Sequence, residues 1–150
     1  MKWCRFVAWA LFACVGLVTS ARPESSIQWV EGIFHSKKLD QRYEFHSWIK
    51  PPYLIGDFNG DGRPDVAVLI REQKSGKRGI AIVHGGTNEV SILGAGKEIG
   101  NGGDNFEWMD QWRLEKRQAK QDALVVAKSE SASGMIYWDG KRYKWEQEGD

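Results

Sequence analysis

Cysteine is almost absent. Cys4 and Cys14 are the two in the chain, and both fall within the first 21 residues. Beyond them there is no disulfide, no thiol nucleophile and no cysteine metal site, so core burial or a bound ion must stabilise the rest. The sequence also lacks a Gly-x-Ser-x-Gly nucleophile elbow. The three histidines, His35, His46 and His84, share no metal-ligand spacing and read as surface or loop residues. Charge of one sign is lacking too: 21 basic residues face 20 acidic ones, which argues against a nucleic-acid arm or a charged disordered tail. At 150 residues the chain is sized for one domain and is too short for a full propeller of four-stranded blades.

One long apolar run is present, at residues 6–18, behind the basic Lys2 and Arg5 and ahead of the small residues Thr19, Ser20 and Ala21. This is the three-part pattern of a secretory signal peptide cleaved after Ala21, and the run is shorter than the roughly 20 residues of a membrane-spanning helix. The alternatives are an uncleaved anchor and a lipid anchor at Cys14, since Leu11-Phe12-Ala13-Cys14 resembles a lipoprotein box. Bulky Phe12 and the apolar residues that follow Cys14 weaken that second alternative. The expected mature domain, 22–150, keeps 19 basic and 20 acidic residues, has no transmembrane segment, and is expected in the periplasm or secreted.

Eight Trp and 17 Gly point to aromatic-rich strands joined by tight turns. Residues 22–26 read as a loose start. Residues 36–49 fit either a helix capped by Ser36 or a strand through Tyr43 and Phe45, and Pro51-Pro52 ends either one. Apolar runs at 66–70, 80–83, 90–93, 123–127 and 135–138, and the alternation of Tyr143 and Trp145 with charged residues, read as strands. Trp108 and Trp112, four apart, suggest a short helix over 106–114, and Asp139-Gly140 suggests a type I′ hairpin turn. A weak repeat pairs a three-stranded meander starting at Asp65, with a loop through Ser75-Gly76, and another starting at Asp122, with a loop through Ser133-Gly134. The six tryptophans beyond residue 21 read as core, with Trp108 and Trp112 the best candidates for an exposed platform. Gly94-Ala95-Gly96-Lys97 fails as a phosphate loop, because Ser91 replaces its first Gly and Glu98 follows the Lys.

Chemistry concentrates in residues 57–65, Asp-Phe-Asn-Gly-Asp-Gly-Arg-Pro-Asp. Asp57, Asn59, Asp61 and Asp65 put side-chain oxygens at positions 1, 3, 5 and 9, Gly62 allows a sharp reversal at position 6, and the Arg63 carbonyl is the next donor. Calcium takes six to eight such hard oxygens, whereas magnesium demands a smaller and stricter octahedron. Three carboxylates this close repel one another unless a cation or open water screens them, so a solvated acidic turn is the competing reading. The motif is no EF-hand: Val68 occupies position 12, and an apolar strand follows instead of a helix.

Residues 56–68, from Gly56-Asp57-Phe58-Asn59 through Asp65-Val66-Ala67-Val68, resemble the FG-GAP/VCBS repeat, a calcium-loop blade element of integrin-type propellers and of many exported bacterial proteins. The resemblance implies calcium held by Asp57, Asn59, Asp61, Asp65 and the Arg63 carbonyl. With a single copy of the motif, it implies a mainly β fold of antiparallel meanders like incomplete propeller blades, with one or two short helices. The chain as a whole is similar to small exported bacterial proteins. The function expected is an exported calcium-binding module for a protein or carbohydrate ligand, with no nucleic-acid partner. The alternatives are a metal-dependent hydrolase and an inhibitor of another exported protein.

Overall fold

The structure, a computed structural model, describes residues 23–118 and 120–149. The signal segment expected at 1–21 and the Cys14 lipid anchor lie outside the described residues. The chain is mainly β, and the described residues form nine strands in two open antiparallel sheets and one α-helix.

The helix, α1 (Pro23–Ser36), begins where a loose start is expected from the sequence. Its apolar stripe explains why: Ile27, Val30 and Phe34 recur at helical spacing, and Val30 and Phe34 are buried. Residues 36–49 resolve into the helix end, a short 3-10 turn (Leu39–Gln41) and the strand β1 (Tyr43–Phe45). The first sheet then runs through β2 (Tyr53–Gly56), β3 (Asp65–Glu72), β4 (Arg78–Val83) and β5 (Val90–Gly94), with β1 and β2 side by side along the same edge of β3. The second sheet is β6 (Gln111–Gln118), β7 (Gln121–Lys128), β8 (Ala132–Trp138) and β9 (Tyr143–Glu148) in chain order.

Strand β3 is buried on both faces, as its unbroken apolar run suggests. Val66, Val68 and Ile70 pack under α1, while Ala67 and Leu69 face the second sheet. Between the sheets Leu69, Ile80, Ile82, Leu93, Phe106, Leu124, Val126 and Ile136 form the main core. Each fully buried aliphatic side chain there contributes roughly 1.5–3 kcal/mol, so the two-sheet sandwich is the principal source of stability. All six described tryptophans pack on these clusters. Trp112 is buried, with its Nε1 donating to the Pro51 carbonyl at 2.8 Å, and Trp108 is half-buried, so neither forms an open platform.

The repeat is larger than the sequence indicates. Each unit has four strands, β2 to β5 and β6 to β9, and Asp65 and Asp122 each sit at the start of the second strand. Residues 57–64 join the first and second strands of one unit, whereas in the other β6 ends at Gln118 and β7 begins at Gln121. Ser133-Gly134 belongs to β8 and not to a loop. The helix expected over 106–114 is a single 3-10 turn (Phe106–Trp108) followed by β6, because Trp112 and Leu114 alternate toward the core. The β8–β9 connection is not a type I′ turn: Gly140 alone has positive φ, and the Asp139 carboxylate closes the turn on the N–H groups of Lys141 and Arg142.

Candidate metal centre

Gly56 pairs with Asp65 across β2 and β3, so residues 57–64 must reverse the chain between neighbouring strands. Three contacts fix the base of this loop. Phe58 is 1% exposed and inserts into the core between the sheets. Gln121 Nε2 donates to the carbonyls of Phe58 (3.0 Å) and Trp138 (2.8 Å). Asp57 and Asp122 pair reciprocally: the Asp57 N–H donates to Asp122 Oδ2 at 2.9 Å, and the Asp122 N–H donates to the Asp57 carbonyl at 2.8 Å. Lys116 neutralises the other Asp122 oxygen at 2.6 Å.

The upper part of the loop is curled by its own acceptors. Asp57 Oδ1 accepts from the Gly60 N–H at 2.7 Å and Oδ2 from the Gly62 N–H at 2.8 Å. Asn59 Oδ1 accepts from the Asp61 N–H at 3.0 Å, and Asp61 Oδ1 from the Arg63 N–H at 2.8 Å. These two-residue closures are Asx turns. Gly62, at φ +82°, supplies the left-handed backbone that the reversal needs. The β4–β5 turn abuts the loop so closely that a Cβ on Gly86 would lie 2.7 Å from Asp61 Oδ2.

Asp65 occupies a different position from the other three. Its carboxylate is 0% exposed and accepts N–H bonds from Phe58 (2.9 Å), Asn59 (3.4 Å) and Gly85 (2.9 Å), which ties the loop to the β4–β5 turn. Burial raises its pKa above the ordinary carboxylate value, opposed by the Gly85 N–H, the charge of His84, and the other two N–H groups. Beside it His84, read from the sequence as a surface or loop residue, does lie in the β4–β5 connection but is 2% exposed. His84 Nε2 bonds the Tyr143 hydroxyl at 2.7 Å, its Nδ1 lies 3.3 Å from Asn59 Nδ2, and Trp138 packs edge-on against its ring. Burial, and then the Asp65 charge, push the Tyr143 phenol well above its ordinary range.

The loop therefore draws the Asn59 and Asp61 side chains together, with Nδ2 3.3 Å from Oδ2. Asp57 engages the glycine amides and Asp65 lies below. Among the described residues no three His, Cys, Asp or Glu side chains are gathered as a metal cluster. The donor chemistry nevertheless fits calcium. Each oxygen of Asp57, Asn59 and Asp61 named above accepts a single N–H and keeps a second lone pair, Arg63 adds a carbonyl, and the Asp61 side is exposed. Gln121, Asp122, Gly86 and Tyr143 were not legible as parts of this site. Of these, Asp122 alone carried a signal, as the repeat counterpart of Asp65.

No protein-family model, no curated protein and no solved structure matches the chain, so the residues themselves carry the functional reading.

Proposed function

We propose that the chain is an exported calcium-binding β-domain of the FG-GAP/VCBS type that serves as a binding or interaction module. The observation that supports this reading is the curl of residues 57–63, where Asp57, Asn59 and Asp61 each close on N–H groups of the same loop. Asp57, Asn59, Asp61 and the Arg63 carbonyl would hold the ion. Asp65 would join them or, as it stands, anchor the loop beneath it. Bound calcium would neutralise the acidic turn and cross-link the β2–β3 connection to the sandwich through Phe58 and Gly85. Without a bidentate Glu, the affinity belongs in the roughly 10⁻⁴–10⁻³ M range of extracellular modules, which suits export.

The hydrolase alternative needs an accessible base beside the metal. The imidazole that touches this loop, His84, is buried against Tyr143 and Trp138. The inhibitor alternative is a special case of an interaction module. Calorimetric and melting titrations of the chain test the calcium reading. Heat uptake or release and a raised Tm at millimolar calcium, both lost in Asp61→Ala, are expected; no heat and no shift in the parent chain would refute it.

A further inference from the structure

Strand β5 ends its sheet, and among the described residues no strand pairs along its outer side. Gly94 turns its N–H and carbonyl away from β4, to the carbonyl and N–H of Lys97, at 2.9 Å each. Alternation along a strand then puts the N–H and C=O groups of Val90 and Ile92 on that same outer side. Among the described residues neither makes a backbone bond there. A groove of about 640 Å³ runs along this edge. Its banks are Lys37 and Leu39, past the end of α1, and Trp138, Lys141, Arg142 and Tyr143, around the β8–β9 turn, with Lys97 at one end. Lys37, Lys97, Lys141 and Arg142 are exposed, and none forms a salt bridge among the described residues. Glu89 and Glu98 offset them only in part. Asp139 is engaged by the β8–β9 turn N–H groups and by Lys144 at 3.9 Å.

We propose that the β5 edge takes an extended acidic peptide segment of a partner protein as an added strand. Backbone bonds to Val90 and Ile92 would hold it, and Lys37, Lys97, Lys141 and Arg142 would read its charge. Two outward backbone pairs, spaced two residues apart at about 3.3 Å per residue, match the repeat of a β-strand and not that of a sugar chain. A second copy of the chain paired β5 to β5 would set the same four cations against one another, so the charge favours an acidic partner over self-association. This inference rests on the interaction-module half of the reading above and not on its calcium half.

The test is amide hydrogen exchange of the full chain, titrated with an eight-residue peptide alternating glutamate and valine. Its lysine counterpart and an oligomer of galacturonate are run in parallel. The acidic peptide should slow exchange at Val90 and Ile92 at least tenfold at saturation. Lys97→Glu with Arg142→Glu, both exposed, should weaken that binding at least tenfold. Val90→Pro, at an outward edge position that tolerates proline, should do the same. If Val90→Pro does not fold, the charge reversal decides alone. Binding that leaves those two amides unchanged would overturn the inference. So would equal binding of the lysine peptide, binding of galacturonate in place of peptide, protection that rises with protein concentration alone, or no binding at millimolar peptide. Calcium melting shifts on the same samples separate the two claims. A shift with no peptide bound removes the inference only, and peptide bound with no shift upholds it while removing the calcium site.

Discussion

Replacing Asp65 probes the joint between the loop and the sandwich. Its carboxylate is fully buried and accepts two well-formed backbone bonds at 2.9 Å, from Phe58 and Gly85, and a long one at 3.4 Å from Asn59. Hydrogen bonds to an ionised group contribute about 1.5–3 kcal/mol each, so the two short ones set a gross loss of about 3–6 kcal/mol for Asp65→Ala. Relief of the buried charge offsets part of this and leaves a net cost of about 3 kcal/mol. With a urea slope of roughly 1.5 kcal/mol per molar, the midpoint should fall by about 2 M. Asp65→Asn keeps one carbonyl oxygen and should fall between the two. Urea unfolding in the presence of chelator, followed by tryptophan fluorescence, measures all three without interference from calcium. An Asp65→Ala variant within about 1 kcal/mol of the parent would show that the carboxylate is not the anchor described.

The same residue gives a pH signature. Because burial raises its folded pKa above the unfolded value of 3.8, the folded state holds the proton more tightly. Stability from Asp65 is then greatest below 3.8 and declines as pH rises through the raised folded value, a component that Asp65→Asn should remove. Carboxyl carbon titration should place Asp65 above 3.8, and calcium should draw it down; an unchanged titration in saturating calcium would put the ion elsewhere. Phe58→Ala empties a fully buried site between the sheets and should cost about 3–5 kcal/mol by denaturant unfolding. Gly86→Ala places a methyl 2.7 Å from Asp61 Oδ2 and 3.2 Å from the Arg63 side chain, which should weaken calcium binding about tenfold while leaving the chelated protein's midpoint within about 1 kcal/mol.

How much of this was legible depended on whether local pattern or distant packing decides. β3 was plain because a strand covered on both faces reads as an unbroken apolar run, and the tight reversal at 57–64 was plain because Asp, Asn and Gly are the residues that close turns. One helix was missed and another was expected where a strand lies. The polar start of α1 masks a stripe that begins only at Ile27, and the four-residue spacing of Trp108 and Trp112 matches a helix even though Trp112 already lies in β6. His84 is the loop residue that Gly85 and Gly86 suggest, but its burial comes from Tyr143, 59 positions away. Gln121 and Asp122 reach the loop across 63 and 65 positions, and no local pattern reports such contacts. Asp65, one of five expected ligands, also accepts three backbone N–H bonds, a role that no local pattern distinguishes from ligation.

The most direct measurement is an amide chemical-shift titration with calcium and, separately, magnesium. The expected result is a single saturating event in the millimolar range or below, with the largest shifts at Gly60, Gly62 and Arg63, weaker with magnesium and absent in Asp61→Ala. Shifts scattered over the sandwich, or none at 57–65 up to about 10 mM calcium, well above the affinity argued for such loops, would contradict the assignment.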